Sequence, residues 1–451
     1  MTRVVVVGAG IAGLTVAHDL ARDPDLDVLV LEGAPRVGGK LLTAEVGGVS
    51  VDVGAEAMLA RRPEGVALAR ELGLPVVHPA TTSSRLWLGG ELRPLPRSVL
   101  GVPVDLDQLA ASGVLTPAGL NRVRAEPSLP PTELAGDVSV AELVGSRLGA
   151  EVVDRLVEPL LGGVYAGHAR ALSARATVPQ VVSMLDRGSL VEAAAALPVT
   201  DTPVFAGIEG GVGRLPLALA EGLTVRTGAT VRELRRRAEG GFELVVGSAA
   251  APELIAADRV VLATPAAPTA RLLADLAPTA AAELAAVEYA SMAIVTLAFR
   301  AADAALLGTD VSGFLVPPVE GRTIKASTFS FAKWDWVRAA GGDVAVLRTS
   351  LGRHREEAVL QAADDELVTA SLADLKAATG LAATPVASQV QRWGGGLPQY
   401  AVGHLDKVAR IRTAIAEVPG LAVCGAAYDG VGIPAVIASA HRAAAEVGQA
   451  E

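Results

Sequence analysis

The first 39 residues constrain this chain more than any other stretch. Val4-Val5-Val6-Val7 reads as a buried strand and runs directly into Gly8-Ala9-Gly10-Ile11-Ala12-Gly13. Residues 14–20 then read as a helix, and Asp27-Val28-Leu29-Val30-Leu31 as a second strand that ends on Glu32. Strand, G-x-G-x-x-G turn, helix, strand and a terminal acid are the parts of a dinucleotide-binding βαβ unit, in the required order and spacing. Gly8 permits the tight turn, Gly10 lets backbone approach a pyrophosphate, and Gly13 lets helix and strand pack closely. The helix N-terminus, with Ile11 and Ala12, presents free N–H groups and a positive dipole end to phosphate. Glu32 and the neighbouring Gly33 fall where a ribose hydroxyl would be held. A glycine-tight turn that merely packs leaves Glu32 unexplained.

Composition narrows the classes. With 451 residues the chain can bury a large core and divides into two or three domains. Charged residues make up 20% and the net charge is −10, which argues against nucleic acid as a partner and leaves any anionic substrate to local arginines. The mean hydropathy is high, +0.42, but no run of 18 apolar residues escapes Gly, Pro or charge, so no transmembrane helix is expected, and an N-terminus that reads as a strand, with no basic region followed by a cleavage site, argues against a signal peptide. The single cysteine, Cys424, excludes an intramolecular disulfide and fits a reducing, cytoplasmic compartment; it reads as core. Six scattered histidines offer no metal-ligand spacing.

Arg36-Val37-Gly38-Gly39-Lys40 follows Glu32 almost at once. This R-x-G-G resembles the second fingerprint of the FAD-containing amine oxidase and phytoene desaturase superfamily. The resemblance implies that Arg36 reaches back to FAD and that Gly39 and Lys40 lie along it. Asp52-Val53-Gly54-Ala55-Glu56-Ala57 is similar to the segment that lies against the flavin there, where a flat ring must approach backbone. Beyond it, Arg61 and Arg62 are candidates for pairing a carboxylate, since a guanidinium fork suits one; a solvated helix flank before residues 64–72 is the other reading.

From residue 78 to 200 the texture becomes proline-rich and helical, with short strand-like pieces at 85–88 and 91–94 and helices at 107–111, 117–125, 140–148 and 152–161. Ser139-Val140-Ala141-Glu142 has capping-box spacing. The apolar residues 95–104 suit ordinary core, or a membrane-surface patch. The string Pro159-Leu160-Leu161-Gly162-Gly163-Val164-Tyr165-Ala166-Gly167 resembles the oxygen-dependent protoporphyrinogen and coproporphyrinogen oxidase family. There Gly163 and Tyr165 would form a thin wall against a large flat substrate; without the resemblance the string is a helix end and turn. Residues 205–216 match the family's glycine-rich return to the cofactor domain, and Val231, on a strand at 230–234, would pass the adenine.

Two C-terminal strings carry the same likeness. Gln391-Arg392-Trp393-Gly394-Gly395-Gly396-Leu397-Pro398-Gln399-Tyr400 offers Trp393 as a flavin contact on a glycine loop. A final strand at 421–425 ends on Gly425 and is followed by Asp429-Gly430-Val431-Gly432-Ile433-Pro434 and a helix at 435–446. That N-terminus, with Val431, Gly432 and Ile433, would point at the flavin, where its dipole favours negative charge. The likeness spans essentially the whole chain, although Gly33-Ala34 replaces a more polar pair and Ala55 stands where many members have Pro.

The resemblance implies an α/β fold: a discontinuous Rossmann-like FAD domain (1–77, 205–275 and 385–451), a mostly helical insertion (78–204) and a mixed α+β substrate domain (276–384). It implies a six-electron oxidation of a porphyrinogen, with FAD accepting hydrides and O2 reoxidising it to H2O2, and no catalytic side chain, because the flavin does the chemistry. The lack of an anchor favours coproporphyrinogen III over protoporphyrinogen IX, in haem biosynthesis. A transient contact with ferrochelatase and a peripheral place at the membrane are further expectations. An amine oxidase or desaturase, or a non-catalytic flavin or porphyrin carrier, are the alternatives.

Overall fold

The computed structural model describes residues 1–198 and 203–448; residues 199–202 of the expected insertion and 449–451 of the C-terminal stretch lie outside them. A five-stranded parallel sheet is built around Thr2–Val7. Leu26–Leu31 pairs on one side and Arg259–Leu262 on the other, with Thr224–Arg226 and Leu421–Val423 at the edges. The central runs are rich in Val and Leu because both faces of the parallel sheet are covered. The helices Ile11–Leu20 and Ile433–Gly448 share one apolar core on one face. An antiparallel three-stranded sheet, built from Val231–Arg236, Phe242–Ser248 and Ala251–Ala257, and the helices Ala266–Leu273 and Pro278–Ala285 cover the other. The alanine-rich strand Ala251–Ala257 escapes sequence reading because its side chains carry almost no apolar alternation and most are exposed.

The second large element is a seven-stranded sheet whose longest internal strands are Tyr289–Arg300 and Val344–Leu351. It corrects two expectations. Ala387–Pro398, expected with the 385–451 stretch and containing the supposed glycine loop around Trp393, is a 12-residue strand hydrogen-bonded to Tyr289–Arg300. The three glycines fall in the bulge where the register shifts between Ala290 and Met292, and the Gly395 N–H there donates to Ser291 Oγ at 3.0 Å instead of to the partner backbone. Likewise Arg85–Leu88 and Glu91–Pro94, expected at the start of the helical insertion, extend this same sheet through the pairing of Arg85–Leu88 with Gly313–Leu315.

The remainder of the 78–198 stretch is mostly helical, with one short antiparallel pair, Ser98–Val99 and Val102–Pro103, and has its own core, into which Leu95, Val99, Leu100 and Val104 pack as partly buried members. Ser139 Oγ accepts the Glu142 N–H at 3.1 Å, as the capping spacing predicts. Glu126 and Arg147 are paired inside this core, and Glu126 also takes the N–H groups of Leu190 and Val191. Cys424 is fully buried, and burial pushes its thiol up to about 12. Among the described residues no helix is long and apolar enough to cross a membrane, and no cluster of His, Cys, Asp or Glu could hold a metal ion.

Candidate functional site

The site grows from the C-terminal ends of the parallel strands. The turn after Thr2–Val7 is as tight as its glycines require: Gly8 has φ 109°, and a Cβ on Gly13 would lie 1.9 Å from the Gly8 carbonyl oxygen. The helix that follows has Gly10 as its N-cap, no side chain capping it and no acid in its first turn. Its first N–H groups, on Ile11 and Ala12, are therefore left for an external anion. Glu32 is half-buried beside them. Its Oε2 accepts the Ala9 N–H at 2.7 Å and its Oε1 the Ala34 N–H at 2.8 Å, which fixes the carboxylate while leaving lone pairs for a hydroxyl. Gly33 abuts Thr230, the residue before Val231, so the sheet that carries Val231 closes this end of the cleft.

The second loop lies against the first, with Gly38 N–H donating to the Ala9 carbonyl at 2.8 Å. Arg36 closes its own loop by donating to the Val37 and Gly39 carbonyls at 3.1 and 2.8 Å, and its guanidinium stands 5.9 Å over the Trp393 ring. The Lys40 carbonyl accepts the Ala55 N–H at 3.3 Å, and burial lowers the Lys40 ammonium from its usual value.

Residues 52–57 are held from two directions. Asp52 accepts the N–H groups of Val212 and Gly213 at 3.0 and 3.2 Å, which ties the 205–216 return to this loop. Burial nevertheless pushes its carboxyl up to about 7, against those two hydrogen bonds and the charge of Arg348. Arg348 donates to the Asp52 and Gly54 carbonyls, both at 2.9 Å, and lies 3.1 Å from Glu56. Lys333 meets Glu56 at 2.5 Å. Burial would raise the Glu56 carboxyl, but these two cations outweigh it and hold it below the usual range. Gly54 is pinned on the opposite side, where a Cβ would sit 2.1 Å from the Lys40 carbonyl oxygen and 3.0 Å from Trp393.

The C-terminal string meets the same cleft. Gly425 lies opposite Ala12, and Val436 N–H donates to the Gly432 carbonyl at 3.0 Å as the helix at Ile433 begins. Tyr400 donates to the Ala426 carbonyl and accepts the Gly430 N–H, both at 2.7 Å, and so joins the Gln399-Tyr400 segment to the loop that carries Val431. Its ring stacks on His404 at 3.8 Å and lies 5.7 Å from that of Tyr165.

The nominated substrate residues separate. Arg61 is exposed, with one long hydrogen bond of 3.5 Å to Gln180 across to the helical region. Arg62 is instead paired with Glu64 at 3.0 Å, so its fork is already engaged. Gly163 is exposed with open space around it, and Tyr165 is buried two residues on in Glu158–Tyr165. Sequence reading missed Arg348, Lys333 and Asp52 as the supports of residues 54–56. The signal was present for Arg348, a charge inside the buried run Val346-Leu347-Arg348-Thr349, but nothing local says what it meets.

The family described as flavin containing amine oxidoreductase matches residues 11–448. The chain belongs to this family. A flavin is its cofactor, and the uncapped helix start, the side-chain-free turn and the backbone exposed at Gly54 fit the dinucleotide form, FAD. Among curated proteins, coproporphyrinogen III oxidase of Mycobacterium tuberculosis is 40% identical over 98% of this chain and 96% of its own length. Coproporphyrinogen III oxidase of Bacillus subtilis is 28% identical over 96% and 94%. Among solved structures, a putative protoporphyrinogen oxidase from an Exiguobacterium species superposes with a TM-score of 0.88 at 32% identity, covering 99% of both chains. Cyclohexylamine oxidase from Brevibacterium oxydans shares the fold at a TM-score of 0.73 and 18% identity.

Proposed function

We propose that this family member is an O2-using coproporphyrinogen III oxidase, which converts its substrate to coproporphyrin III in haem biosynthesis. The observation that carries the reading is the 40% identity to the mycobacterial coproporphyrinogen III oxidase across nearly the full length of both chains. Bound FAD supplies the redox chemistry: six electrons and six protons leave the macrocycle, and three O2 become three H2O2. The chain's own groups bind and orient. Gly8, Gly10, Ile11, Ala12 and Gly13 take the pyrophosphate, Glu32 and Gly33 the ribose, and Val231 the adenine. Arg36, Gly39, Lys40, Gly54, Ala55, Glu56, Ala57 and Trp393 line the flavin end, and Gly425, Val431, Gly432 and Ile433 complete it.

On the substrate side, Gly163 and Tyr165 form the wall, and Arg61 pairs a propionate as it enters. Arg62, engaged by Glu64, has the lesser part. The domain division follows the sequence reading, with strands 85–94 and 387–398 moved to the substrate sheet. The protein works in the cytoplasm, peripheral to the membrane, and hands its product on by transient contact with ferrochelatase.

A second reading, protoporphyrinogen IX oxidation, is favoured by the likeness to the Exiguobacterium protein. Porphyrin fluorescence and peroxide, followed in air with chemically reduced coproporphyrinogen III and protoporphyrinogen IX in parallel, separate the two. Faster turnover of coproporphyrinogen supports the proposal, and faster turnover of protoporphyrinogen replaces it with the second reading. FAD-loaded protein that turns over neither is not a porphyrinogen oxidase.

A further inference from the structure

At the end of the seven-stranded sheet, where it meets the helix Glu158–Tyr165, lies a cavity of about 250 Å³ lined by Lys325, Arg353, Arg322 and Gly352. Two of its cations are nearly fully buried: Lys325 is 4% exposed and Arg353 8%. Neither has a carboxylate within 4.0 Å among the described residues. Lys325 donates to the Gly352 carbonyl at 2.8 Å, and Arg353 Nη2 to the Val316 carbonyl at 2.9 Å. Arg353 Nη1 is buried with no hydrogen-bond partner. Buried charges are ordinarily paired, and an unpartnered guanidinium N–H beside a second buried cation leaves a deficit that a carboxylate would fill.

The acids nearby do not fill it. Glu356 lines the cavity, but its carboxylate lies 3.3 Å from His168 and is largely exposed. Glu158 takes the Ala169 N–H at 3.0 Å, and burial raises its carboxyl in spite of His168 and Arg353. Burial also lowers the Lys325 ammonium, to about 7, with Arg353 adding to the effect; this is the strain an incoming anion would relieve.

We propose that this cavity is a carboxylate pocket that receives one propionate arm of the porphyrinogen. The inference rests on the function proposed above and names a second point of substrate recognition, far in sequence from Arg61. Size excludes the macrocycle itself: 250 Å³ is the space of about eight waters, below the range of ligand pockets, but ample for a three-carbon acid. Its neighbours also place it. A Cβ on Gly162 would lie 2.6 Å from Arg353 Nη1, so this helix position has no side chain between the guanidinium and the wall at Gly163. On the far side Gly352 abuts the Ser291 carbonyl, and Ser291 Oγ accepts the Gly395 N–H at 3.0 Å, two residues beyond Trp393. Two lining residues, Arg353 and Gly352, thus pack against the helix that carries Gly163 and the strand bonded to the Trp393 segment.

The test uses the FAD-loaded protein, Lys325→Met and Arg353→Met, with coproporphyrin III binding read by fluorescence quenching and Tm read alongside. Each variant is expected to weaken coproporphyrin III by about tenfold or more. The tetramethyl ester should bind all three proteins equally, and Lys325→Met should keep or raise Tm because a buried charge has been removed. Unchanged affinity with a lowered Tm would overturn the proposal and leave the two cations as internal supports, Arg353 as the counter-ion of Glu158. Sodium propionate or phosphate that stabilises the wild type and neither variant, while porphyrin affinity is unaffected, would overturn the substrate arm in favour of a free anion. Turnover of coproporphyrinogen by the wild type is measured separately, so loss of the functional reading and loss of the pocket are told apart.

Discussion

Trp393 donates its indole N–H to the Val53 carbonyl at 3.0 Å, across 340 residues of sequence. That bond seats the ring edge against the backbone of Gly54 and beneath the guanidinium of Arg36. A strand of the seven-stranded sheet thereby completes a cleft whose other walls come from the parallel sheet. Cofactor binding and the docking of the two sheets are coupled through this contact.

Gly54→Ala tests the coupling. The added methyl would sit 2.1 Å from the Lys40 carbonyl oxygen and 3.0 Å from Trp393, and the first of these is backbone that cannot swing away. Strain of this kind costs about 1–3 kcal/mol. The purified variant should contain much less flavin per protein by visible absorbance, with a lower Tm than the wild-type apoprotein. Full flavin content would show that the loop has room to shift.

Arg348→Met should be more damaging than its distance in sequence from the cofactor motifs suggests. It removes two hydrogen bonds to the Asp52 and Gly54 carbonyls and leaves Glu56 with Lys333 alone, in surroundings where the Arg348 and Glu56 side chains are 12% and 10% exposed. Breaking a buried pair from one side costs about 3 kcal/mol or more. Chemical denaturation should report a loss of that order, and Glu56→Gln in the same background should recover part of it.

Asp52 gives a pH signature of definite sign. Its carboxyl titrates near 3.8 when free and about 7 in the fold, so the native state holds the proton more tightly. Stability from this group is present in acid and is lost as pH rises from about 4 to 7, after which it is constant. His404 acts in the opposite direction. Its folded value is depressed from 6.5 to about 4 by burial, so the stability it contributes is lost as pH falls through the same window. Asp52→Asn isolates the first contribution: the difference in Tm between variant and wild type should shift in the variant's favour from pH 4 to 7. A difference that does not change with pH would show that folding leaves the Asp52 carboxyl at its free value.

The parallel sheet and its nucleotide turn were legible because they are local. Valine runs, three glycines and Glu32 fix strand, turn and strand within about thirty residues. The sheet membership of 387–398 was not, because three glycines in a row read as a loop, and only pairing of the residues on both sides of them with Tyr289–Arg300 carries the strand through that bulge. The same holds for the site. Gly54 and Trp393 stand out by residue type, whereas Arg348, Lys333 and Asp52 earn their roles only from partners brought close by folding. Arg61 and Arg62 are indistinguishable in sequence, and Glu64 separates them.

Tyr400→Phe removes one oxygen that makes two hydrogen bonds of 2.7 Å, to the Ala426 carbonyl and from the Gly430 N–H. The ring remains and can keep its stack on His404. Loss of one buried acceptor and one donor costs about 1–3 kcal/mol, concentrated on the loop between Gly425 and Ile433. Faster flavin release with little change in secondary structure is the expected outcome. Hydrogen exchange at Gly430 should rise in the same variant.

The two arginines should part in their kinetics. Arg61 is exposed and has one bond of 3.5 Å, so its fork is available to an incoming carboxylate. Arg62 is held 3.0 Å from Glu64 at the start of the helix Pro63–Glu71, where that ion pair also anchors the helix entrance. An exposed charge-assisted contact is worth about 1 kcal/mol, so Arg61→Met should raise KM for coproporphyrinogen roughly fivefold and leave kcat and Tm unchanged. The same change should matter less for protoporphyrinogen, which has half as many carboxylates. Arg62→Met should do the reverse, lowering Tm slightly through the freed Glu64 carboxylate while sparing KM. Equal effects of both substitutions on KM would mean that substrate binding pulls Arg62 away from Glu64, and Glu64→Gln would then lower KM by releasing it.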